Sequence, residues 1–277
     1  MYFENEIITS RNNQFVKWAA SLADKKNRKE SGYFMAEGIK LTKEAFEAGL
    51  PVEYCVVSET KKDAVIEALG DIVSTDKYQK CKFIVTSESV FEKISTEKGS
   101  QGVISIIKHL DFFRDMDIIY KEEFFLEPEE KAIFLFSLRD PSNLGAVIRS
   151  SVAFGIGHIV LSDDCADIYN PKTIRSAMGS IFRVRVTTVK DVSSFIKAAQ
   201  ANSRRVFAAE LTDNAISLSD AKLNSTDIVM IGNEGHGIDR EISSLCDASV
   251  YIPISKKTES LNASVAAAIF MWEQSKK

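Results

Sequence analysis

The chain has 277 residues, of which 35 are lysine or arginine and 39 are aspartate or glutamate, so its formal net charge is −4. This length suffices for two modest domains that each bury a core, and a hydrophobic fraction of 45% is typical of globular proteins. Since no apolar run approaches about eighteen residues and the acidic N-terminal segment lacks the layout of a signal peptide, we expect a cytoplasmic protein that does not enter a membrane.

Residues 10–107 alternate between helical and strand patterns, which predicts a small α/β domain. We expect an amphipathic helix over residues 15–22, a short strand over 34–38 that ends at a glycine, and a helix over 39–46. The remaining strands of this part are predicted at residues 52–57, 83–85 and 102–107.

Residues 108–130 are acidic and dotted with aromatic residues, which is typical of a solvated linker. A second α/β run then begins at residues 132–138, an unbroken apolar stretch that suits a strand covered on both faces. Later strands are predicted at residues 158–162, 204–209, 227–231 and 249–254. The alternation of strands and helices predicts a parallel-sheet α/β domain over residues 131–277.

Positive charge is concentrated in two segments although the net charge is negative. Residues 172–190 contain five basic residues and no acidic one, and residues 25–29 contain four basic residues. Such segments can bind a phosphate backbone, but they are equally compatible with solvated helix faces. The cysteines are isolated along the chain, which favours reduced, buried thiols over a disulfide framework or a metal site (Cys55, Cys81, Cys165 and Cys246).

A turn motif follows the first strand of the second domain. Residues 140–143 read Asp-Pro-Ser-Asn, which predicts a turn, and a helix that carries Arg149 is expected over residues 144–154. An arginine in the middle of a helix is usually a solvent-exposed charge. Taken alone, Arg149 is therefore a weak candidate for chemistry.

A glycine-rich motif follows the strand predicted at residues 227–231. Residues 232–237 read Gly-Asn-Glu-Gly-His-Gly, and three glycines let the backbone approach a ligand closely or adopt positive φ. The motif lies at the carboxyl end of a strand, where open α/β sheets bind ligands. A tight strand-to-helix turn without a ligand is the alternative, and the glycine order differs from the Gly-x-Gly-x-x-Gly of dinucleotide-binding folds.

A third motif closes over the same strand ends. Ile252, Ile254 and Leu261 bracket a loop over residues 255–259. Ser260 and Asn262 then open an alanine-rich helix predicted over residues 263–272. Serine and asparagine are both favoured at helix N-termini, so a capping role and a ligand-binding role are equally open.

In this order and at this spacing, the three motifs resemble those of the SpoU (TrmH-like) family of the SPOUT superfamily of RNA methyltransferases. The resemblance implies an α/β domain with a trefoil knot, homodimerisation through this domain, and transfer of a methyl group from S-adenosylmethionine to a ribose 2′-hydroxyl of RNA without a metal ion. The implied catalytic residues are Asn143, Arg149, Glu234, Ser260 and Asn262. The implied cofactor-binding residues are Gly232, Gly235, Ile252, Ile254 and Leu261.

The first domain resembles a small α/β RNA-binding domain, similar to certain ribosomal proteins, that precedes the catalytic domain in many SpoU-type enzymes. Residues 36–38 (Ala-Glu-Gly) and 100–103 (Ser-Gln-Gly-Val) carry this likeness. We therefore predict an RNA substrate-binding domain over residues 1–107, a linker over 108–130 and a SPOUT methyltransferase domain over 131–277.

The predicted substrate is 23S ribosomal RNA, because the first domain resembles a ribosomal-protein fold, and transfer RNA is the alternative. A non-catalytic RNA-binding protein on the same fold is less favoured, since the motif residues are intact. Arg149 is expected to orient the hydroxyl and a neighbouring RNA phosphate, with the phosphate helping to accept the proton, because a guanidinium with a pKa above about 12 does not act as a base alone.

Overall fold

A computed structural model describes residues 6–70, 81–110, 113–120, 124–233 and 235–276. Their packing divides the chain into two units. The first unit comprises the residues up to 110 together with 167–182, and the second comprises 111–166 and the residues from 183 onward. Within the described ranges, no helix has both the length and the apolar character that crossing a bilayer requires.

The elements follow one another in α/β alternation through both units. The strands are β1 (Tyr33–Glu37), β2 (Val52–Ser58), β3 (Lys82–Thr86), β4 (Val103–Lys108), β5 (Phe113–Met116), β6 (Ala132–Leu135), β7 (His158–Ser162), β8 (Arg185–Val189), β9 (Val206–Ala209), β10 (Ile216–Ser217), β11 (Ile228–Ile231) and β12 (Ala248–Tyr251). The helices are α1 (Gln14–Ser21), α2 (Lys25–Ser31), α3 (Ile39–Glu47), α4 (Lys62–Leu69), α5 (Glu88–Ile94), α6 (Pro141–Ala153), α7 (Pro171–Ala177), α8 (Val192–Ala201), α9 (Arg240–Ser243) and α10 (Ala263–Ser275).

The first unit is built on a four-stranded sheet in the order β1-β4-β2-β3. β4 runs antiparallel to both of its neighbours, while β2 and β3 are parallel. The amphipathic α1 buries Val16 and Ala19 in the same apolar cluster as α5 and the sheet. The helix predicted over residues 15–22 and the strands predicted at 52–57 and 102–107 are therefore present, each shifted by a residue or so.

Residues 167–182 pack with the first unit, although they lie within the range predicted for the methyltransferase domain. Their helix α7 lies against β1. The guanidinium of Arg28, which is only 2% exposed, donates to Asp167 at 2.5 Å and to the carbonyls of Leu22 and Ala23 at 2.7 Å. A buried arginine is stable only when its charge and its donors are satisfied in this way. The contact holds residue 167 beside α2.

The second unit contains an eight-stranded sheet in the order β10-β12-β9-β11-β6-β7-β8-β5, and every strand pair described in it is parallel. The central strands β6, β7 and β11 are buried along their full length, as expected for strands covered by helices on both faces. This confirms the predicted parallel-sheet α/β fold.

The segment predicted as a linker contributes the edge strand β5, which pairs with β8. Phe113 and Met116 are half-buried while Arg114 and Asp115 between them are exposed, so the strand covers the sheet edge with only two apolar side chains. The acidic composition of the segment concealed this short strand. Farther along, buried Arg204 donates to the carbonyls of Glu127, Pro128, Glu130 and Thr226, which fixes the end of the segment to the sheet.

His158 begins β7 and is 4% exposed. Its Nδ1 lies 3.0 Å from Glu130 Oε1 and its Nε2 lies 2.8 Å from Thr187 Oγ1. Burial lowers the pKa of His158, although the hydrogen bond to Glu130 acts in the opposite direction. Arg185 also forms an ion pair with Glu130. The neutral imidazole therefore joins the starts of β7 and β8 to the segment before β6.

Candidate active site

The chain leaves β6 through Ser137, which adopts φ 54°, a left-handed conformation that is uncommon for a residue other than glycine. Its N–H donates to Ser162 Oγ at 2.8 Å and its hydroxyl donates to Asp164. Its carbonyl accepts from Asn233 Nδ2 at 2.8 Å. The strained residue thus joins the ends of β6 and β7 to the glycine-rich motif.

Asp164 anchors this connection. Burial alone would raise the pKa of Asp164, but hydrogen bonds from Ser137, Ser162 and Arg139 outweigh burial and lower it. The Ser162 hydroxyl lies 2.7 Å from Asp164 Oδ1, and an Arg139 guanidinium nitrogen lies 3.1 Å from Asp164 Oδ2. The carboxylate is therefore ionised and holds three donors around the turn after β6.

Helix α6 begins at Pro141, three residues earlier than predicted, so the predicted turn at residues 140–143 is in fact the first helical turn. Asp140 is the N-cap, and its carboxylate accepts from the N–H groups of Ser142 at 2.7 Å and Asn143 at 2.9 Å. Proline at the first helical position lacks only an N–H that would have no partner in the helix. The same residues that signal a turn therefore start a helix here.

Arg149 lies two turns along α6 and is exposed to solvent. It makes no hydrogen bond or ion pair with any other residue that the structure describes. Asn143, in the first turn of α6, accepts a hydrogen bond at 3.0 Å from Asn262 Nδ2. The structure thus brings the first and third motifs into direct contact through two of the predicted catalytic residues.

The glycine-rich motif forms a small closed loop at the end of β11. The backbones of Asn233 and Gly237 are paired by hydrogen bonds of 3.0 and 2.9 Å, and the Asn233 side chain accepts from Gly235 N at 2.8 Å. A Cβ on Gly232 would lie 2.5 Å from the carbonyl carbon of Gly237 and 2.8 Å from the nitrogen of Ile238. Glycine is thus required at 232 by the backbone of its own loop. Glu234, a predicted catalytic residue, lies outside the described residues.

The third motif starts α10. Asn262 is the N-cap, and its side-chain oxygen accepts from Ser264 N at 2.9 Å and from Val265 N at 3.4 Å. The capping role that the sequence left open is therefore confirmed for Asn262, which also contacts Asn143. Ser260 is exposed, and its carbonyl accepts from the Thr258 hydroxyl at 3.2 Å.

A cavity of about 330 Å³ lies at the carboxyl ends of β9, β11 and β12. It brings together most of the residues that the sequence predicted for the cofactor, with the exception of Gly235, which does not line it. The predicted residues in its lining are Gly232, Ile252, Ile254, Ser260 and Leu261. The residues that the sequence reading missed are Ala209, Glu210, Leu211, Ile231, Asn233, Gly237, Val250, Tyr251, Ala263, Ala266 and Phe270.

Most of the missed residues lie on strands, a helix and a motif that the sequence predicted, but the sequence did not indicate that they meet at one cavity. Ala209 ends β9, and Glu210 and Leu211 follow it. The predicted strand at 204–209 could have pointed to them, since its carboxyl end lies beside that of β11. Glu210 accepts a hydrogen bond from the Ser249 hydroxyl at 2.6 Å. Among the described residues that line the cavity, Glu210 is the one with a carboxylate side chain.

A shallow apolar groove of about 490 Å³ runs between α6 and α10, and Ser150, next to Arg149, is part of its lining. Val265 is 47% exposed and Trp272 is 50% exposed there. Two large apolar side chains of α10 are thus exposed in a groove whose other wall includes the neighbour of Arg149 on α6.

Family models match both parts of the chain. One described as the SpoU rRNA Methylase family matches residues 130–272, and one described as an MRM3-like substrate binding domain matches residues 13–105.

Several known proteins are similar to the chain over almost its whole length. It is 30% identical to the "23S rRNA (guanosine(2553)-2′-O)-methyltransferase RlmP" of Bacillus subtilis, over 96% of this chain and 97% of that protein. It is 26% identical to the "23S rRNA (uridine(2479)-2′-O)-methyltransferase" of Streptomyces viridochromogenes, over 96% of this chain and 90% of that protein. The crystal structure of an rRNA methyltransferase from Sinorhizobium meliloti is similar with a TM-score of 0.80 and 26% identity, over 98% of this chain and 97% of that one. A structure titled as the AdoMet-bound rRNA methyltransferase of that organism gives a TM-score of 0.79, with 26% identity and the same coverage.

Proposed function

The chain belongs to the SpoU rRNA methylase family, and we propose that it transfers a methyl group from S-adenosylmethionine to a ribose 2′-hydroxyl of 23S ribosomal RNA. Membership of this S-adenosylmethionine-dependent family makes the chain an RNA methyltransferase. The observation that carries the proposal is the convergence of the three motifs. Asn143 of the first motif contacts Asn262 of the third, and the second and third motifs line one cavity. Relatives named as 2′-O-methyltransferases of 23S rRNA support the acceptor and the substrate.

The cavity fits the cofactor in size and in chemistry. Its volume of about 330 Å³ falls in the range of small-molecule sites, which is about 300 to 1,000 Å³. Its walls are largely apolar, and Ile252, Ile254 and Leu261 are placed to cover a planar ring. Gly232 and Gly237 both line the cavity, so at two positions of its wall no side chain separates the backbone from a ligand. When bound, S-adenosylmethionine supplies a methyl group that its sulfonium has already activated.

Arg149 is the proposed positioning group for the RNA. Its guanidinium is exposed and makes no contact with another described residue, so its donors are available to the acceptor ribose and an adjacent phosphate. A guanidinium does not lose its proton at neutral pH, so the phosphate takes part in accepting the proton of the hydroxyl. The hydrogen bond between Asn143 and Asn262 holds the two helix starts together beside the proposed acceptor position, and Ser260 and Glu234 complete the proposed set. Holding the acceptor in line is what such a site contributes to the rate.

A second copy of the chain is the proposed cover of the groove between α6 and α10. Val265 and Trp272 are each about half exposed in this groove, and large apolar side chains clustered on a helix face favour burial in an interface. A dimer formed here would place its interface next to Arg149, so the RNA would meet the site at the edge of the interface.

The domain assignment completes the proposal. We place substrate recognition in residues 1–107, a connecting segment in 108–130 and methyl transfer in 131–277, with a trefoil knot in the last part and a cytoplasmic location for the protein. The match of residues 13–105 to a substrate binding domain supports the first assignment.

The deciding experiment compares 2′-O-methyl positions in ribosomal and transfer RNA from cells with and without the gene. Loss of one methylated ribose in 23S rRNA, restored by the purified protein and S-adenosylmethionine in vitro, is the expected result. A loss confined to tRNA would transfer the assignment to tRNA, and an unchanged map would favour a non-catalytic RNA-binding protein.

A matched RNA tests the acceptor atom. A substrate with 2′-deoxyribose at the modified nucleotide should bind nearly as well, because phosphate contacts dominate affinity, but should accept no methyl group. Methylation of the deoxy substrate at that nucleotide would show that a base atom is the acceptor.

A further inference from the structure

The first unit carries an aromatic–lysine face, which consists of Phe15, Trp18, Tyr33, Tyr54, Lys82 and Lys108. We propose that this face binds single-stranded RNA by stacking bases on its rings and pairing its lysines with phosphates. The inference rests on the proposed function, since it assigns part of the RNA substrate to a named surface of the first unit.

Four aromatic rings lie together on the face. Trp18 is central, with ring centroids 5.6 Å from Phe15, 5.4 Å from Tyr33 and 5.7 Å from Tyr54. The contacts to the two tyrosines are edge-on, and the ring centroid of Phe15 lies 5.1 Å from that of Tyr54. All four rings are half-buried and pack on the apolar cluster beneath them, which holds them in fixed orientations. Rigid, partly exposed rings are what base stacking requires.

A lysine ammonium lies near each tyrosine ring. Lys82 Nζ is 5.8 Å from the centroid of Tyr54, and Lys108 Nζ is 6.0 Å from the centroid of Tyr33. The sheet register produces this arrangement, because Tyr33 is paired directly with Lys108 and Tyr54 with Lys82. Both lysines are exposed. An exposed lysine next to a partly exposed ring can pair with an RNA phosphate while the ring stacks on a base.

The acidic Glu53 lies beside the face and is paired with two of its residues. Glu53 accepts from the Tyr33 hydroxyl at 2.7 Å and lies 3.2 Å from Lys108 Nζ, so its charge is compensated within the face. The hydrogen bond from Tyr33 lowers the pKa of Glu53, and burial together with this bond raises the pKa of Tyr33 to about 12. The tyrosine therefore remains a neutral donor at neutral pH, and its ring stays in place for stacking.

A purely structural role would explain the rings as a lid on the apolar cluster. It would not explain why the neighbouring strand positions supply a lysine to each tyrosine, since cation–π contacts at exposed sites contribute only about 0.5–1 kcal/mol. The pairing of a rigid aromatic surface with phosphate-binding charges is the feature that points to single-stranded RNA rather than to a protein partner.

Tryptophan fluorescence tests the stacking directly. The chain has two tryptophans, so the Trp272→Phe protein reports Trp18 alone. We expect an oligoadenylate of about ten nucleotides to quench this fluorescence, because stacked bases contact the ring, and heparin, which carries charge without bases, to leave it unchanged. Equal quenching by both, or by neither, would overturn the proposal.

Charge removal tests the lysines without touching the apolar cluster. The double variant Lys82→Gln, Lys108→Gln should reduce the slope of log affinity for the oligoadenylate against log salt by about 1.4, at about 0.7 for each phosphate contact. Lys197→Gln, an exposed lysine on α8, is the matched control and should leave the slope unchanged. Trp18→Leu, which keeps apolar volume, should weaken binding about fivefold to a hundredfold, with urea unfolding confirming its fold. An unchanged salt slope and an unchanged affinity in folded variants would refute the proposal that this face binds RNA.

Methyl transfer to 23S rRNA by the unaltered chain, measured in parallel, separates this inference from the proposed function. Methyl transfer without quenching of Trp18 would support the proposed function and refute RNA binding by the aromatic–lysine face. Quenching of Trp18 without methyl transfer to any RNA would support RNA binding by this face and refute the proposed activity.

Discussion

Replacing Gly232 by alanine is the sharpest test of how the glycine-rich motif serves the cavity. The new Cβ would lie 2.5 Å from the carbonyl carbon of Gly237, 2.7 Å from its oxygen and 2.8 Å from the nitrogen of Ile238. These are backbone atoms, so the clash cannot be relieved by rotating a side chain. Residues 237 and 238 must move outward, which breaks the pairing of Asn233 with Gly237.

The size of the effect follows from the contacts that are lost. The pairing consists of hydrogen bonds of 3.0 and 2.9 Å, and each contributes about 1 kcal/mol, so the variant should lose about 2 kcal/mol of unfolding free energy. Since Gly232 and Gly237 both line the cavity, the displacement also reshapes the cofactor site. At about 1.4 kcal/mol for each factor of ten, loss of half of this free energy from the site should weaken S-adenosylmethionine binding about fivefold, and loss of all of it about 25-fold.

Gly235→Ala is the matched control, because the closest atom to its added Cβ is Asn233 Oδ1 at 3.4 Å, an ordinary contact, and Gly235 does not line the cavity. Calorimetric titration with S-adenosylmethionine and urea unfolding of both variants give the two quantities. We expect Gly235→Ala to resemble the unaltered protein in both. Wild-type affinity and stability in Gly232→Ala, or equal damage in both variants, would refute the steric argument.

Four further perturbations test other parts of the site and fold. Arg149→Ala should keep cofactor affinity while single-turnover methyl transfer falls about a hundredfold or more, and a rate near that of the unaltered protein would exclude its proposed role. Asn262→Asp should keep the N-cap of α10 but lose the donor to Asn143, so methyl transfer should fall while stability is kept. Asn262→Ala should lose the cap as well, at a cost of about 1 kcal/mol in unfolding free energy, and equal stability of the two variants would contradict this. Trp272→Glu should halve the mass seen by sedimentation if the groove is the dimer interface, whereas an unchanged mass would place the interface elsewhere. Burial lowers the pKa of His158 below its ordinary value of 6.5, so unfolding takes up a proton once the pH falls below that value. The unfolding free energy measured in urea should therefore decline as the pH is lowered from about 8 to 5. His158→Gln should make this decline smaller.

The parts of the fold that could be read from the sequence are those with strong local signals. The apolar run after residue 131 became the buried strand β6, and Asn262 became a helix cap, because burial and capping depend on residues close in sequence. The edge strand β5 was missed because only two of its four side chains are half-buried, so it lacks the apolar run of a central strand.

The candidate site was predictable in its motifs and not in its contacts. The sequence indicated that Gly232, Ile252 and Leu261 share a ligand, and they do line one cavity. It did not indicate the hydrogen bond between Asn143 and Asn262, since 119 positions separate them and only the fold sets their distance. The reason for glycine at 232 also lay beyond the sequence, because a clash with residues 237 and 238 depends on how the loop closes.

The packing of residues 167–182 against the first unit determines when that unit can be completed during protein synthesis. The ribosome finishes residue 110 well before residue 182, and at about 5–20 residues per second the intervening 72 residues take roughly 4 to 14 s. Throughout this interval Arg28 has the carbonyls of Leu22 and Ala23 as partners but lacks the carboxylate of Asp167. The first unit must therefore wait for part of the second to be translated, and a fragment ending near residue 107 should be less stable than the same residues within the whole chain.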